Sequence, residues 1–230
     1  MMKKNQNAAV HVKNLVLTAM LGALAFGLML LNPPIPIFPS FLKFDLAEIP
    51  SLFAGFFLGP LGGMGVILVK MGLKLVFDPS KTGYIGELMS VIGSVAYVLP
   101  ASLIYRFRHT RGGAGIALVA GTLIASVVMV FVNKYMAFPL YGNLYHMSIE
   151  DIVEMGTKVM PFIKDETMLL WLSVFPFNLL KHGVTALLVW IMYKRVSILV
   201  RSVLEQNPRP DREDTPKGVP NGDEQHTQDQ

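Results

Sequence analysis

Apolar residues run along this chain in long blocks, and the polar residues gather between the blocks rather than alternating with them. A block of about 20 apolar residues has the length of a helix that crosses a bilayer. Six blocks stand out, at about 15–31, 47–58, 64–77, 85–105, 114–138 and 168–193. The pattern predicts an all-α integral membrane protein with six transmembrane helices in residues 15–195, between a short N-terminal segment (1–14) and a polar tail (196–230). The second block is short for a bilayer and is expected to sit tilted or partly in the outer interface. The first block, behind Lys3, Lys4 and Lys13, also has the outline of a signal peptide. Asn32-Pro-Pro-Ile-Pro36 follows it, however, where a small-residue cleavage site would be needed.

The breaks between blocks carry their own signals. Gly59-Pro-Leu-Gly-Gly63 predicts a tight turn, and Asp78–Gly83 predicts a loop. The connector 139–165 holds an amphipathic piece, 148–160, whose helix start is marked by Ser148, Glu150 and Asp151. From Glu205 onward the chain is rich in Pro, Asp, Gln and Asn and is expected to be disordered. Phe38–Pro50 differs from a plain loop. It mixes prolines, aromatics and charges, so it is expected to fold back as a lid and outer wall over a small-molecule site, or else to seal helix ends as a re-entrant connector.

Composition narrows the class. The chain is 52% hydrophobic and only 16% charged, which excludes an ordinary soluble domain. It has no cysteine, which excludes disulfides, thiol catalysis and thiolate metal sites. The excess of Lys and Arg flanks apolar blocks, as topology signals do, and does not indicate nucleic-acid binding. Basic clusters precede the first block and follow the fourth and sixth. The positive-inside rule then places both termini in the cytoplasm and the elaborate loops outside.

Ionisable residues inside apolar spans are costly and commonly functional. Lys70 and Lys74 share a face of the third block; Glu87 opens the fourth; Asn133 and Lys134 close the fifth; Asn178 and Lys181 share a face of the sixth. All fall toward the outer side and can line one pocket. Bland readings stand beside this one. Lys74 and Lys134 are placed to snorkel, Glu87 to pair with Lys70, and His182 to be a satisfied interior histidine. Asn178 and Lys181 follow Phe175-Pro-Phe177, where proline bends a helix and frees a carbonyl. No nucleotide-binding Gly-x-x-x-x-Gly-Lys-Ser/Thr loop, no His-Glu-x-x-His and no nucleophile with a base is present, so neither ATP hydrolysis nor other catalysis is expected. In the first block Ala19, Ala23 and Gly27 recur every four residues, a small-residue face for internal packing or for docking another membrane subunit.

These stretches resemble the riboflavin-binding S components of energy-coupling factor (ECF) transporters. Leu42-Lys-Phe-Asp-Leu-Ala-Glu-Ile-Pro-Ser-Leu52 carries most of the likeness. Gly59–Gly63, Thr82-Gly-Tyr-Ile-Gly-Glu87, Asn133–Pro139 before Leu140 and Tyr141, Pro176–Lys181, and the Ala19-x-x-x-Ala23 motif add to it. Ala47 and Glu48 depart from a Ser-Asp pair, and Met71 from an Asn. The resemblance implies a six-helix subunit of the bacterial plasma membrane that binds its vitamin from outside. It implies a membrane coupling (T) subunit and two cytoplasmic ATPases as partners, docking through Ala19, Ala23 and Gly27. Riboflavin is cargo in that scheme, and no cofactor or metal is expected. Phe38, Pro39, Phe41 and Leu42 suit the apolar end of the flavin. Asn133, Asn178 and Lys181 suit its pyrimidine edge and hydroxyls, since Asn both donates and accepts. Lys43, Asp45, Lys70 and Glu87 complete the expected site. The residues leave open another vitamin or FMN, with Lys74 or Lys134 meeting a phosphate. They also leave open a self-sufficient permease using Lys70 and Glu87 as a proton-coupled pair.

Overall fold

The computed structural model describes residues 2–33, 35–78, 80 and 83–205, and within them every regular element is helical. The helices are α1 (Met2–Leu30), α2 (Glu48–Phe57), α3 (Pro60–Phe77), α4 (Ile85–Tyr105), α5 (Arg111–Val132), α6 (Phe138–Tyr145), α7 (Ile149–Thr157), α8 (Glu166–Leu169) and α9 (Phe175–Glu205). One π-helical turn, Asn133–Ala137, joins α5 to α6, and another, Leu170–Val174, joins α8 to α9.

Among the described residues, five stretches are long and apolar enough to cross a membrane, 11–30, 60–77, 85–105, 111–145 and 166–200, rather than the six expected. The remaining expected block holds the shorter α2. At 10 residues α2 is about 15 Å long, half the ~30 Å apolar thickness of a bilayer. Helix α9 runs on to Glu205, through residues expected to belong to the polar tail. The disorder expected beyond Glu205 falls on 206–230, outside the described residues.

Helix ends follow local chemistry. The expected Gly-Pro turn is two residues, Leu58 and Gly59: Gly59 sits at φ +86° and Pro60 already starts α3, where its missing N–H costs nothing. Ser148 caps α7, and Asp151 reaches back to the Ser148 N–H, closing a capping box. Those Ser148 hydrogen bonds, the backbone one first, hold the Asp151 carboxyl below its ordinary value. Thr110 caps α5 and Asp165 caps α8 through bonds of 3.0 and 2.8 Å.

Packing sets the directions. Thr18 lies against Gly65, Gly22 against Val66 and Val69, and the Phe26 ring is 6.2 Å from Phe77. The rising numbers show that α1 and α3 run parallel, so the chain between them travels back along the bundle. A Cβ at Gly22 would collide with Val69, so glycine permits this approach. Gly121 packs on Tyr97 and Ala101, which joins α5 to α4. The main core cluster lies among α2, α4, α5 and α9, with Leu52, Phe53, Tyr97, Val98, Leu118 and Val189 buried. Leu68, Val119, Leu123, Leu187 and Ile191 point outward, the apolar exterior of a bilayer protein.

Candidate functional site

A cavity of about 420 Å³ sits at one end of the bundle, where α1 and α3 finish and α4 and α9 begin. Three devices aim polar groups into it.

The first is the pair of π turns. Each ends two residues before a proline, Pro139 in one helix and Pro176 in the other. Proline has no N–H for the i−4 carbonyl, and its ring crowds that carbonyl. The wider turn relieves this: the Phe138 N–H bonds to Asn133 O, and the Phe175 N–H to Leu170 O, each five residues back. Asn133 opens the first π turn, and Asn178 lies just past the second. Each is buried, and each side-chain amide donates to a carbonyl four residues back, Asn133 to Met129 O at 2.7 Å and Asn178 to Val174 O at 2.8 Å. That bond uses one amide hydrogen. The other hydrogen and the amide oxygen remain for a ligand.

The second device is the segment 31–47. Its Phe38 ring meets Phe177 edge-on at 5.2 Å, and its Phe41 ring meets Phe138 at 6.2 Å. Asp45 accepts a hydrogen bond from the Lys181 Nζ at 2.9 Å and another from the Ala47 N–H at 3.0 Å. Two aromatic contacts and one ion pair thus fasten the segment over the bundle as a wall. The Ala47 side chain makes no capping bond, and Asp45 satisfies the Ala47 N–H instead.

The third is the turn before α4. Gly83 and Tyr84 have φ of +54° and +66°, and a Cβ at Gly83 would strike the end of the Leu144 side chain, which favours glycine there. Ser80 Oγ accepts from the Tyr84 N–H at 2.9 Å and donates to Glu87 Oε2 at 2.7 Å, which holds Glu87 at the cavity mouth. Lys74 bonds Asp78 and lies 3.6 Å from Glu87.

The structure brings Phe41, Leu42, Lys43, Asp45, Glu87, Asn133, Asn178 and Lys181 to the cavity lining. It does not bring Phe38, Pro39 or Lys70 there. Phe38 and Pro39 are buried within the wall segment itself, outside the lining. Lys70 is fully buried and bonds Glu48 and Ser94, each at 2.9 Å. Glu87 is therefore not the partner of Lys70, and the two are not a proton-coupled pair. Lys74 lines the cavity rather than snorkelling, whereas Lys134 lies over the Tyr135 ring at 5.7 Å and is not in the lining. His182 is not a satisfied interior histidine: it is 2% exposed, and neither ring nitrogen has a partner among the described residues.

Sequence reasoning missed Glu48, Ser94, Met129, Tyr141 and Phe177 as lining residues. The acidic Glu48 at the head of an apolar helix was the available signal. No cluster of His, Asp and Glu among the described residues could hold a metal ion. A second hollow, of about 720 Å³, lies at the opposite end near Phe57 and Arg106. Its buried hydroxyls are already engaged, Ser102 with Val98 O and Tyr105 with Tyr193.

Known proteins share this architecture. The family model "ECF transporter, substrate-specific component" matches residues 13–193. Riboflavin transporter FmnP of Bacillus subtilis is 26% identical over 198 residues, covering 86% of this chain and 96% of its own. Riboflavin transporter RibU of Staphylococcus aureus is 27% identical over 191 residues, covering 83% and 94%. A solved S component of a bacterial ECF transporter superposes with a TM-score of 0.63 at 26% identity, over 83% of this chain and 99% of that one.

Proposed function

The chain belongs to the substrate-specific components of ECF transporters, and on that footing we propose that its cavity captures riboflavin for import. Family membership makes it a non-enzymatic binding subunit of the bacterial plasma membrane. The observation that carries the ligand is the cavity's division into two chemistries. Phe41, Leu42, Met89 and Met129 give the lining apolar surface, while Asn133, Asn178, Asp45 and Lys181 give it donors and acceptors. Riboflavin has the same division, with a dimethylbenzene end and a pyrimidine edge of carbonyls and one N–H. The volume falls in the roughly 300–1,000 Å³ range of small-molecule sites. The relatives FmnP and RibU are named as riboflavin transporters.

Lys74 serves a phosphate poorly, because at the mouth it stands between Asp78 and Glu87, which would repel a dianion. Lys43 also lines the cavity, so FMN stays a second reading beside riboflavin.

Six crossings with both termini in the cytoplasm follow if the segment 35–47 and α2 together make the second crossing. The parallel course of α1 and α3 supports this, because the chain must return between them. The cavity then faces outside. The expected T subunit and two ATPases supply the energy that this chain has no nucleotide motif to harvest. Docking through α1 is supported by exposure: Ala19, Ala23 and Gly27 face outward, while Gly22 and Ala25 on the other side pack inward.

Asn178→Ala tests the site. It removes hydrogen-bonding groups from a buried edge, a loss of about 1–3 kcal/mol, which corresponds to roughly 5- to 150-fold weaker riboflavin binding. Flavin-fluorescence titration reads the change, with the melting temperature as the control for folding. Unchanged affinity would remove Asn178 from the site.

A further inference from the structure

His182 stands one turn of α9 beyond Asn178, on the same face, about 6 Å deeper into the bundle. It belongs to the cavity lining, yet both of its ring nitrogens are buried without a partner. Beside it, the Tyr97 ring lies tilted by 45° at a centroid distance of 4.5 Å and spends its hydroxyl on the His182 carbonyl at 3.1 Å. An unpaired buried polar group is costly to folding, because it gives up its bonds to water and gains none. A purely structural position would be better filled by phenylalanine, which packs on Tyr97 equally well and leaves nothing unsatisfied.

The neighbouring charges do not explain the imidazole. Lys70 is paired with Glu48, and Lys181 with Asp45, so two cations and two anions balance. The missing partner is therefore neutral. A neutral imidazole has one N–H donor and one acceptor nitrogen. Its complement is an edge carrying an acceptor and a donor.

We propose that His182 is a specificity-determining residue at the floor of the cavity, turning toward the ligand and binding the neutral imide edge that Asn178 engages one turn above. The identity of that edge, the carbonyl and N–H of the flavin pyrimidine, rests on the riboflavin reading. The unmet hydrogen-bonding capacity of His182 does not.

The test compares purified wild type with His182→Phe and His182→Gln, using titrations of riboflavin and of N3-methylriboflavin, in which the imide N–H is blocked. Thermal unfolding without ligand is measured in parallel. His182→Phe is expected to bind riboflavin roughly 5- to 150-fold more weakly, with a melting temperature equal to or above wild type. His182→Gln keeps a donor and an acceptor and should retain most of the affinity. Wild type should prefer riboflavin over its N3-methyl analogue by a margin that His182→Phe narrows.

Wild-type affinity and wild-type discrimination in His182→Phe would overturn the proposal. So would a lowered melting temperature in both variants with discrimination unchanged. Wild type that binds no riboflavin would instead refute the riboflavin reading. The ligand-free melting curve then decides for His182: a rise in His182→Phe supports a residue retained for a ligand at a cost in stability, and a fall assigns it to packing.

Discussion

Replacing Glu48 with leucine is expected to destabilise the protein by about 3–5 kcal/mol, because it strands a fully buried lysine. Lys70 has no solvent exposure, and Glu48 is 2% exposed. The Lys70 ammonium bonds Glu48 Oε2 and Ser94 Oγ, and Ser94 Oγ in turn donates to Glu48 Oε1 at 2.8 Å. This closed triangle ties α2, α3 and α4 together beneath the cavity. Without Glu48 the ammonium keeps only a neutral hydroxyl in a medium that screens poorly. The double variant Glu48→Leu with Lys70→Met removes both charges and should recover most of the stability, as replacing a whole buried pair usually does. Thermal unfolding in detergent reads both variants. A Glu48→Leu protein as stable as wild type would show that Lys70 does not depend on Glu48.

The second large effect is on transport. Ala19→Leu with Ala23→Leu should abolish riboflavin uptake while leaving binding by the purified subunit intact. These alanines lie on the exposed face of α1, and Gly27 in the same row has no neighbour within 4 Å of where a Cβ would stand. Small residues at such a face let another helix come close. Two leucines would hold that helix away, at about 1–3 kcal/mol for each overpacked site, more than tenfold in association together. The readouts are vitamin uptake in cells and co-purification with the coupling subunits. Lost binding would place the face inside the fold. Uptake at the wild-type rate would move the docking surface elsewhere.

Much of the helical plan was legible because bilayer spans announce themselves by length and by punctuation. Helix α4 spans 85–105, as the apolar block predicts, and Ser148 starts α7. Within one helix, i and i+3 spacing placed Asn178 and Lys181 together at the cavity. Partners between helices were not legible. Lys70 and Glu48 are 22 residues apart, and nothing in periodicity prefers Glu48 over Glu87 as the lysine's partner. The segment before α2 stood apart from a plain loop by its prolines and aromatics, but which of its rings line the cavity was not legible. Phe41 lines the cavity, while Phe38 turns away onto Phe177. The π turns were half visible: Pro176 marked a disturbance, but the change from four- to five-residue hydrogen bonding depends on packing that sequence spacing does not encode. His182 was misread for the same reason, since satisfaction of a buried imidazole depends on its neighbours in space.

The central claim, that the cavity between the wall segment and α9 is a riboflavin site, is tested most directly on the purified wild-type protein. Its visible absorbance is recorded first, and riboflavin is then titrated while flavin fluorescence is followed. A yellow preparation, or quenching that saturates at one riboflavin per chain, is the predicted result. A colourless protein that leaves flavin fluorescence unchanged would contradict it, leaving the ECF fold in place with a different vitamin as cargo.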